Sequence, residues 1–364
     1  MLLKIAWCLI GEMDGAMISI VIFETDEQTK NFELHPMKKN ILLFLVATNF
    51  AFPEVVQFVF TDLGTEVGAF DHPLQTEDFN APSHLQLQYY LKQKGYDIKG
   101  CSGGCFDFGD VVIFNNLGRR YILKAAAFLR SKKILVIWEP PTVMPHQYNP
   151  LFLALFDRVI TWDDRLAQKN GYIKFNYPVN RGVLLDIPGF HGRKLVCTII
   201  GNKTSSHPDE LYSARREIVS FYEKNLQLPF DLYGVGWEKS GLKRYCGSPP
   251  DKIAVLKEYR FAFSYENYRN DRGYITEKIF DCFYAGTVPI YLGASNITNY
   301  IPEGCFIDAR KFSSHQELHR YLETMDEKTW LTFRKCAEEF CRSSKGDLFR
   351  EKQLVDAYLK AIFE

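Results

Sequence analysis

The tripeptide Thr276-Glu277-Lys278 sets an acid and a base side by side, ahead of Ile279, Phe280, Cys282 and Phe283, a run that ends at Gly286. The apolar residues follow helical spacing, Thr is a favoured N-cap and Gly a favoured residue just past a C-terminus, so a helix opening at Thr276 is expected. Free N–H groups and the positive end of the macrodipole make such an end an anion site. A lysine in the first turn can neutralise a phosphate, and a carboxylate beside it suits a diol such as a ribose. The spacing alone equally allows a glutamate capping its own helix and a solvated lysine.

The flanks shift that balance. FAFSYENYRNDRGY runs from an apolar strand through Glu266 and Asn267 to Tyr274. Ligands of parallel α/β sheets bind at the carboxyl ends of strands. A strand, a Glu-Asn turn, an aromatic and a charged helix N-terminus therefore describe a nucleotide-diphosphate site. Neither G-x-G-x-x-G nor G-x-x-x-x-G-K-[ST] occurs, which sets aside the common dinucleotide pocket and the P-loop. A further carboxylate, Glu139, ends the strand pattern ILVIW ahead of Pro140 and Pro141. It reads as a general base or as an exposed strand-end acid.

The elements that must position these residues alternate. Residues 41–48, 110–114, 134–138 and 157–162 read as strands, with helices over 84–95 and 119–133 and a short one from Asp163. Residues 177–194 hold two Pro and three Gly and read as a linker. A second series follows: strands 195–201, 230–234, 261–266 and 287–293, with helices over 209–225 and 251–260 and the one opening at Thr276. Continuous apolar strands separated by helices indicate parallel sheets covered on both faces. The expected architecture is α/β: two Rossmann-like domains facing a cleft, followed by C-terminal helices. The boundaries are an N-terminal extension 1–36, a first domain 37–180, a linker 181–194, a second domain 195–325 and helices 326–364. The apolar run after Lys38-Lys39 has the look of a signal peptide but is read as the first buried strand.

The chain has 364 residues and zero net charge, which argues against a nucleic-acid partner. The basic run Arg130–Lys133 is read as a solvated helix end. No stretch reaches the length of apolar sequence that a membrane-spanning helix needs. Nine cysteines, an odd number mostly inside apolar runs, favour reduced thiols over a disulfide framework. The pairs Cys101/Cys105 and Cys336/Cys341 lack the second half of a zinc site. Two Asn-x-Ser/Thr sequons, at Asn202 and Asn296, fall inside donor-domain elements and read as chance matches.

Residues 261–297, FAFSYENYRNDRGYITEKIFDCFYAGTVPIYLGASNI, resemble the donor-binding motif of glycosyltransferase family 10, the α1,3/α1,4-fucosyltransferases. The looser resemblance extends over about 85–325 and includes EPPTVMPHQYN and GNKTSSHPDELYSARREI. It implies the GT-B arrangement of two Rossmann-like domains, inversion at the anomeric carbon and GDP-fucose as donor. Carried over by position, Glu139 is the base; Asn267, Tyr274, Glu277 and Lys278, with the adjoining Glu266, line the donor site. Glu277 then takes the ribose and Lys278 the diphosphate. The family's diphosphate arginine falls on Arg215 or Arg216, the downstream apolar spacing favouring Arg215, and Asn202 matches a further donor position. Two departures stand out. Pro140 replaces the serine of the family's Glu-Ser-Pro turn, and Gly201 stands where a serine precedes the asparagine. No Asp-x-Asp element occurs, so no metal is expected. The expected partners are a nucleotide sugar and a glycan acceptor, an N-acetylglucosamine-type sugar by the resemblance. The alternatives are a different nucleotide sugar or a catalytically inactive glycan-binding homologue. Cytoplasmic residence is expected, with the Golgi lumen as the alternative for a eukaryotic source. Peripheral membrane association, in glycoprotein or lipopolysaccharide synthesis, and homodimer formation are left open.

Overall fold

The computed structural model describes residues 4–13, 16–24, 55–60, 70, 74–78, 81–102, 110–119, 122, 131–168, 172–179 and 188–364. The chain divides into two compact units, Met1–Pro53 and Glu54–Glu364. In the first, β1 (Lys4–Met13) and β2 (Ala16–Glu24) pair as an antiparallel hairpin whose register shifts between Leu9 and Glu12. The strand expected over 41–48 lies outside the described residues.

The second unit contains two parallel sheets. The six-stranded one has the order β4-β3-β5-β6-β7-β8. Its strands are β3 (Val55–Phe60), β4 (Asp97–Ser102), β5 (Val111–Asn115), β6 (Lys132–Ile137), β7 (Arg158–Thr161) and β8 (Tyr172–Lys174). The five-stranded one has the order β10-β9-β11-β12-β13. It comprises β9 (Lys194–Ile199), β10 (Asp231–Tyr233), β11 (Tyr259–Asn270), β12 (Val288–Ala294) and β13 (Ile307–Asp308). The central strands are apolar throughout because both faces are covered. Val111, Ile113, Ile134 and Val136 enter one core, and Val112, Phe114, Leu135 and Ile137 the opposite one.

Several strands are ones the apolar pattern does not announce. β4, β8 and β13 are sheet edges, where one flank faces solvent and residues such as Asp97, Lys99, Lys174 and Asp308 are at home. Lys132 and Lys133 open β6 rather than close a solvated helix. Lys132 Nζ donates to the Ile362 carbonyl at 2.9 Å, and Lys133 pairs with Asp157 at 3.5 Å. The helix expected over 251–260 is the shorter Lys252–Leu256, because the chain already enters β11 at Tyr259.

The C-terminal helices serve both sheets. Trp330, on Glu327–Cys341, is buried in the core of the second sheet. The last helix, Glu351–Phe363, returns to the first, burying Leu354, Ala357, Tyr358, Ala361 and Ile362 beside Leu87 and Leu91 of the helix Ser83–Gln93. Polar bonds fix its seat: Ser83 N donates to Glu351 Oε2 at 2.9 Å, and the Tyr358 hydroxyl to Asn115 Oδ1 at 3.1 Å. Among the described residues no helix is long and apolar enough to cross a membrane.

Candidate active site

The helix Glu277–Ala285 opens where the sequence places it and closes on Gly286 in the left-handed conformation. Thr276 occupies the N-cap position, but its hydroxyl does not cap the helix. It bonds instead to Glu266, Oγ1 lying 2.9 Å from Oε2, while the Thr276 amide donates to Glu266 Oε1 at 2.8 Å. Lys278 Nζ donates to Thr276 Oγ1 at 2.7 Å and pairs with Glu266 at 3.3 Å and Glu277 at 3.4 Å. Glu266 is 0% exposed. It therefore lies beneath the surface of the site. Its carboxylate holds Thr276 and Lys278 from beneath.

Two cations converge above that carboxylate. Arg215, buried on the helix Tyr212–Lys224, donates through Nε and Nη2 to the Tyr265 carbonyl at 3.2 and 2.5 Å. Arg216 turns away to the Lys203 carbonyl at 2.6 Å, so Arg215 is the one that reaches the strand end. Burial works against the charge of Lys278, but Glu266 and Glu277 raise its pKa above the ordinary value despite Arg215 nearby. Burial likewise opposes the charge of Glu277, yet Lys278 and Lys252 outweigh it and hold that carboxyl down at about 2. Both shifts favour the charged forms: a carboxylate and an ammonium in the first helical turn, with the Arg215 guanidinium alongside.

The remaining donor-side candidates surround this cluster. Asn267 Nδ2 donates to the Tyr212 hydroxyl at 3.3 Å, and its Oδ1 is buried without a hydrogen-bond partner. Asn202 is exposed and bonds the Gly236 carbonyl through Nδ2 at 3.0 Å. Tyr274 is buried between the two sheets, its ring 4.7 Å from that of Trp162, 5.6 Å from Tyr177 and 6.1 Å from Tyr268. Burial lifts its phenol pKa well above ordinary, and Tyr177 and the charges of Glu266, Glu139 and Glu277 add to the rise. The carboxylate ending a strand of the first sheet thus acts on the same phenol as the two beside the helix of the second.

Glu139 follows β6 and is half-buried. Its turn is gripped by groups the sequence reading did not single out. Asn116 Oδ1 accepts from the amides of Trp138 and Glu139 at 2.9 and 3.2 Å. The Tyr148 hydroxyl donates to the Glu139 carbonyl at 2.8 Å, and that of Tyr177 to the Trp138 carbonyl. Asn116 has φ of 53°, left-handed backbone that Asn tolerates better than most residues. The Asn115-Asn116 pair directly after an apolar run was the available signal. Tyr148 and Tyr177 carried none.

Two bridges join the sheets around the site. Ser205 Oγ, on the loop that carries Asn202, donates to the Thr142 carbonyl in the turn after Glu139 at 2.8 Å. Asp163 caps the helix Asp164–Ala167, as expected, and also pairs with Arg272 at 3.3 Å. Asp164 accepts from the Tyr300 hydroxyl at 2.5 Å and from Asn296 Nδ2 at 3.1 Å, and pairs with Lys174 at 3.5 Å. Gly273, at φ +82°, makes room for it: a Cβ there would lie 2.9 Å from Asp164 Oδ2. Among the described residues no cluster of three or more His, Cys, Asp or Glu could hold a metal ion.

Two parallel α/β sheets facing a shared aromatic seam, with the last helix returned to the first sheet, define the GT-B fold of glycosyltransferases. A solved α1,3-fucosyltransferase with GDP-fucose superposes with a TM-score of 0.52 at 16% identity, over 88% of this chain and 94% of that one. Residues 191–338 match the family model described as "Glycosyltransferase family 10 (fucosyltransferase) C-term". The chain is similar to that family over this stretch. It is 30% identical over 151 residues to the mouse 4-galactosyl-N-acetylglucosaminide 3-alpha-L-fucosyltransferase 9, covering 40% of this chain and 38% of the relative. The bovine protein of the same name is 29% identical over 213 residues, 56% of this chain and 53% of that one. The chain thus spans about half or less of the length of these relatives.

Proposed function

We propose that this protein transfers fucose from GDP-fucose to a hydroxyl of a glycan acceptor, with inversion and without a metal ion. The observation that carries this reading is the ionised trio of Lys278, Arg215 and Glu277 at a helix N-terminus that Thr276 leaves uncapped. It suits a nucleoside diphosphate: Lys278 and Arg215 meet the charge that collects on the leaving diphosphate, and Glu277 accepts from the ribose hydroxyls. Asn267 and Asn202 contribute polar contacts to the donor, and Tyr274 forms the wall between the sheets. Glu266 acts only through Thr276 and Lys278. Glu139 takes the proton of the acceptor hydroxyl as its oxygen attacks the anomeric carbon opposite the departing GDP. The names of the similar proteins favour GDP-fucose as donor and an α1,3 linkage to an N-acetylglucosamine-type sugar.

Thermal shifts with GDP, UDP and CDP test the donor, and GDP should give by far the largest rise. Glu139→Gln should bind GDP within about twofold of wild type while losing transfer by about 100-fold or more. A wild-type protein that ignores GDP, or a Glu139→Gln variant that still transfers, overturns the proposal.

A further inference from the structure

Cys305 closes the short 3-10 segment Glu303–Cys305 ahead of β13, and Cys336 lies in the helix Glu327–Cys341. Their sulfurs are 3.1 Å apart, although the two residues are 31 positions apart in sequence. That separation is about 1 Å more than a disulfide bond. The approach depends on Gly304, where a Cβ would come within 3.1 Å of Cys336 Sγ. Cys197 and Cys282 are buried in another core cluster and Cys246 stands exposed, while Cys341, half-buried at the end of the helix that carries Cys336, borders the same cluster as this pair. We propose that Cys305 and Cys336 form a reversible disulfide, tying the segment ahead of β13 to the helix Glu327–Cys341.

The exposure of the two thiols orders the chemistry. Cys305 is buried, and burial together with the neighbouring Cys336 thiol raises its pKa, so Cys336, which is partly exposed, reacts first. The Cys336 thiolate attacks a sulfur of a low-molecular-weight disulfide such as oxidised glutathione and releases one thiolate. Cys305, giving up its proton, then attacks Cys336 Sγ in the mixed disulfide and releases the second. Two protein thiols are oxidised, one external disulfide is reduced to two thiols, and the two protons pass to the released thiolates. The bond braces the candidate site from behind. The same helix packs Phe340 against Phe280 and Phe283 of the helix Glu277–Ala285, with ring centroids 6.2 Å apart in each pair.

The full chain, equilibrated with oxidised glutathione, alkylated and digested without reductant, should yield a Cys305–Cys336 linked peptide as its main cross-link. Dithiothreitol should abolish it. The melting temperature should rise by about 5 °C on oxidation, and Cys336→Ser should remove that rise. The inference is overturned if both thiols are recovered alkylated after equilibration, or if the main cross-link joins either of them to Cys341. It is also overturned if Cys336→Ser keeps the thermal response. The wild-type peptide map decides the matter even if the variant folds poorly.

Discussion

Glu277 and Lys278 are adjacent charges whose contributions to stability are lost at opposite ends of the pH scale. The Glu277 pKa is depressed in the folded state to about 2, so its contribution is present above its ordinary value and fades as pH falls towards 2. The Lys278 pKa is raised, so its contribution holds below the ordinary lysine value and is lost as pH climbs past the folded one. Thermal melting from pH 2 to 6 should show wild type above Glu277→Gln by a constant margin over about pH 5, with the two curves converging towards pH 2. A margin that widens on acidification would contradict this. Glu266 behaves differently, because a fully buried carboxylate holds both Thr276 and Lys278. Glu266→Ala removes the buried partner of Lys278 and leaves it with Glu277 alone, and urea unfolding should report a loss of about 3 kcal/mol. GDP affinity should fall with it, since Lys278 loses its anchor.

At the scale of elements, the loop between β11 and the helix Glu277–Ala285 must cross from one sheet to the other and return. It does so at Gly273, whose positive φ and missing Cβ admit the Asp164 carboxylate and the Tyr300 hydroxyl. Gly273→Ala should cost about 2 kcal/mol in chemical denaturation, from backbone strain together with the displaced carboxylate. The effect on GDP binding should exceed that of a substitution at exposed Gly241, which has open space around it. This loop also shows the reach of sequence patterning. The helix and its closing glycine follow from apolar spacing, which local geometry enforces. The partner of Gly273 is 109 residues away, and no local pattern encodes it. The same holds for Asn116, whose hold on the Glu139 turn exists only because β5 and β6 are neighbours in the sheet.

For the molecule as a whole, the last helix is the element that closes the six-stranded sheet. Leu354, Tyr358 and Ile362 fill a core shared with Val56, Leu87 and Ile113. Leu354→Ala should lose about 2–5 kcal/mol, measured by urea unfolding, because a fully buried leucine leaves a cavity. Removal of the helix should expose the first sheet's core and abolish cooperative unfolding of that half. Chain order runs from the first sheet through the second and back, so the two halves share one C-terminus and their stabilities are coupled.

The sequence by itself determined the alternation of buried strands and helices, the helix opening at Thr276, and the identity of the charged groups beside it. It did so because burial on both faces of a parallel sheet writes continuous apolar runs, and because helix ends have local chemical signatures. It did not determine the polar edge strands β4, β8 and β13, which gain their place from a neighbour rather than from a pattern. Only the tertiary structure decided that Thr276 turns its hydroxyl to Glu266 instead of capping the helix, and that Arg215 rather than Arg216 reaches the strand end. It alone brought Tyr274 of the second sheet against Trp162 and Tyr177 of the first. Those are contacts between residues far apart in the chain, fixed by how two sheets meet and not by the spacing within either.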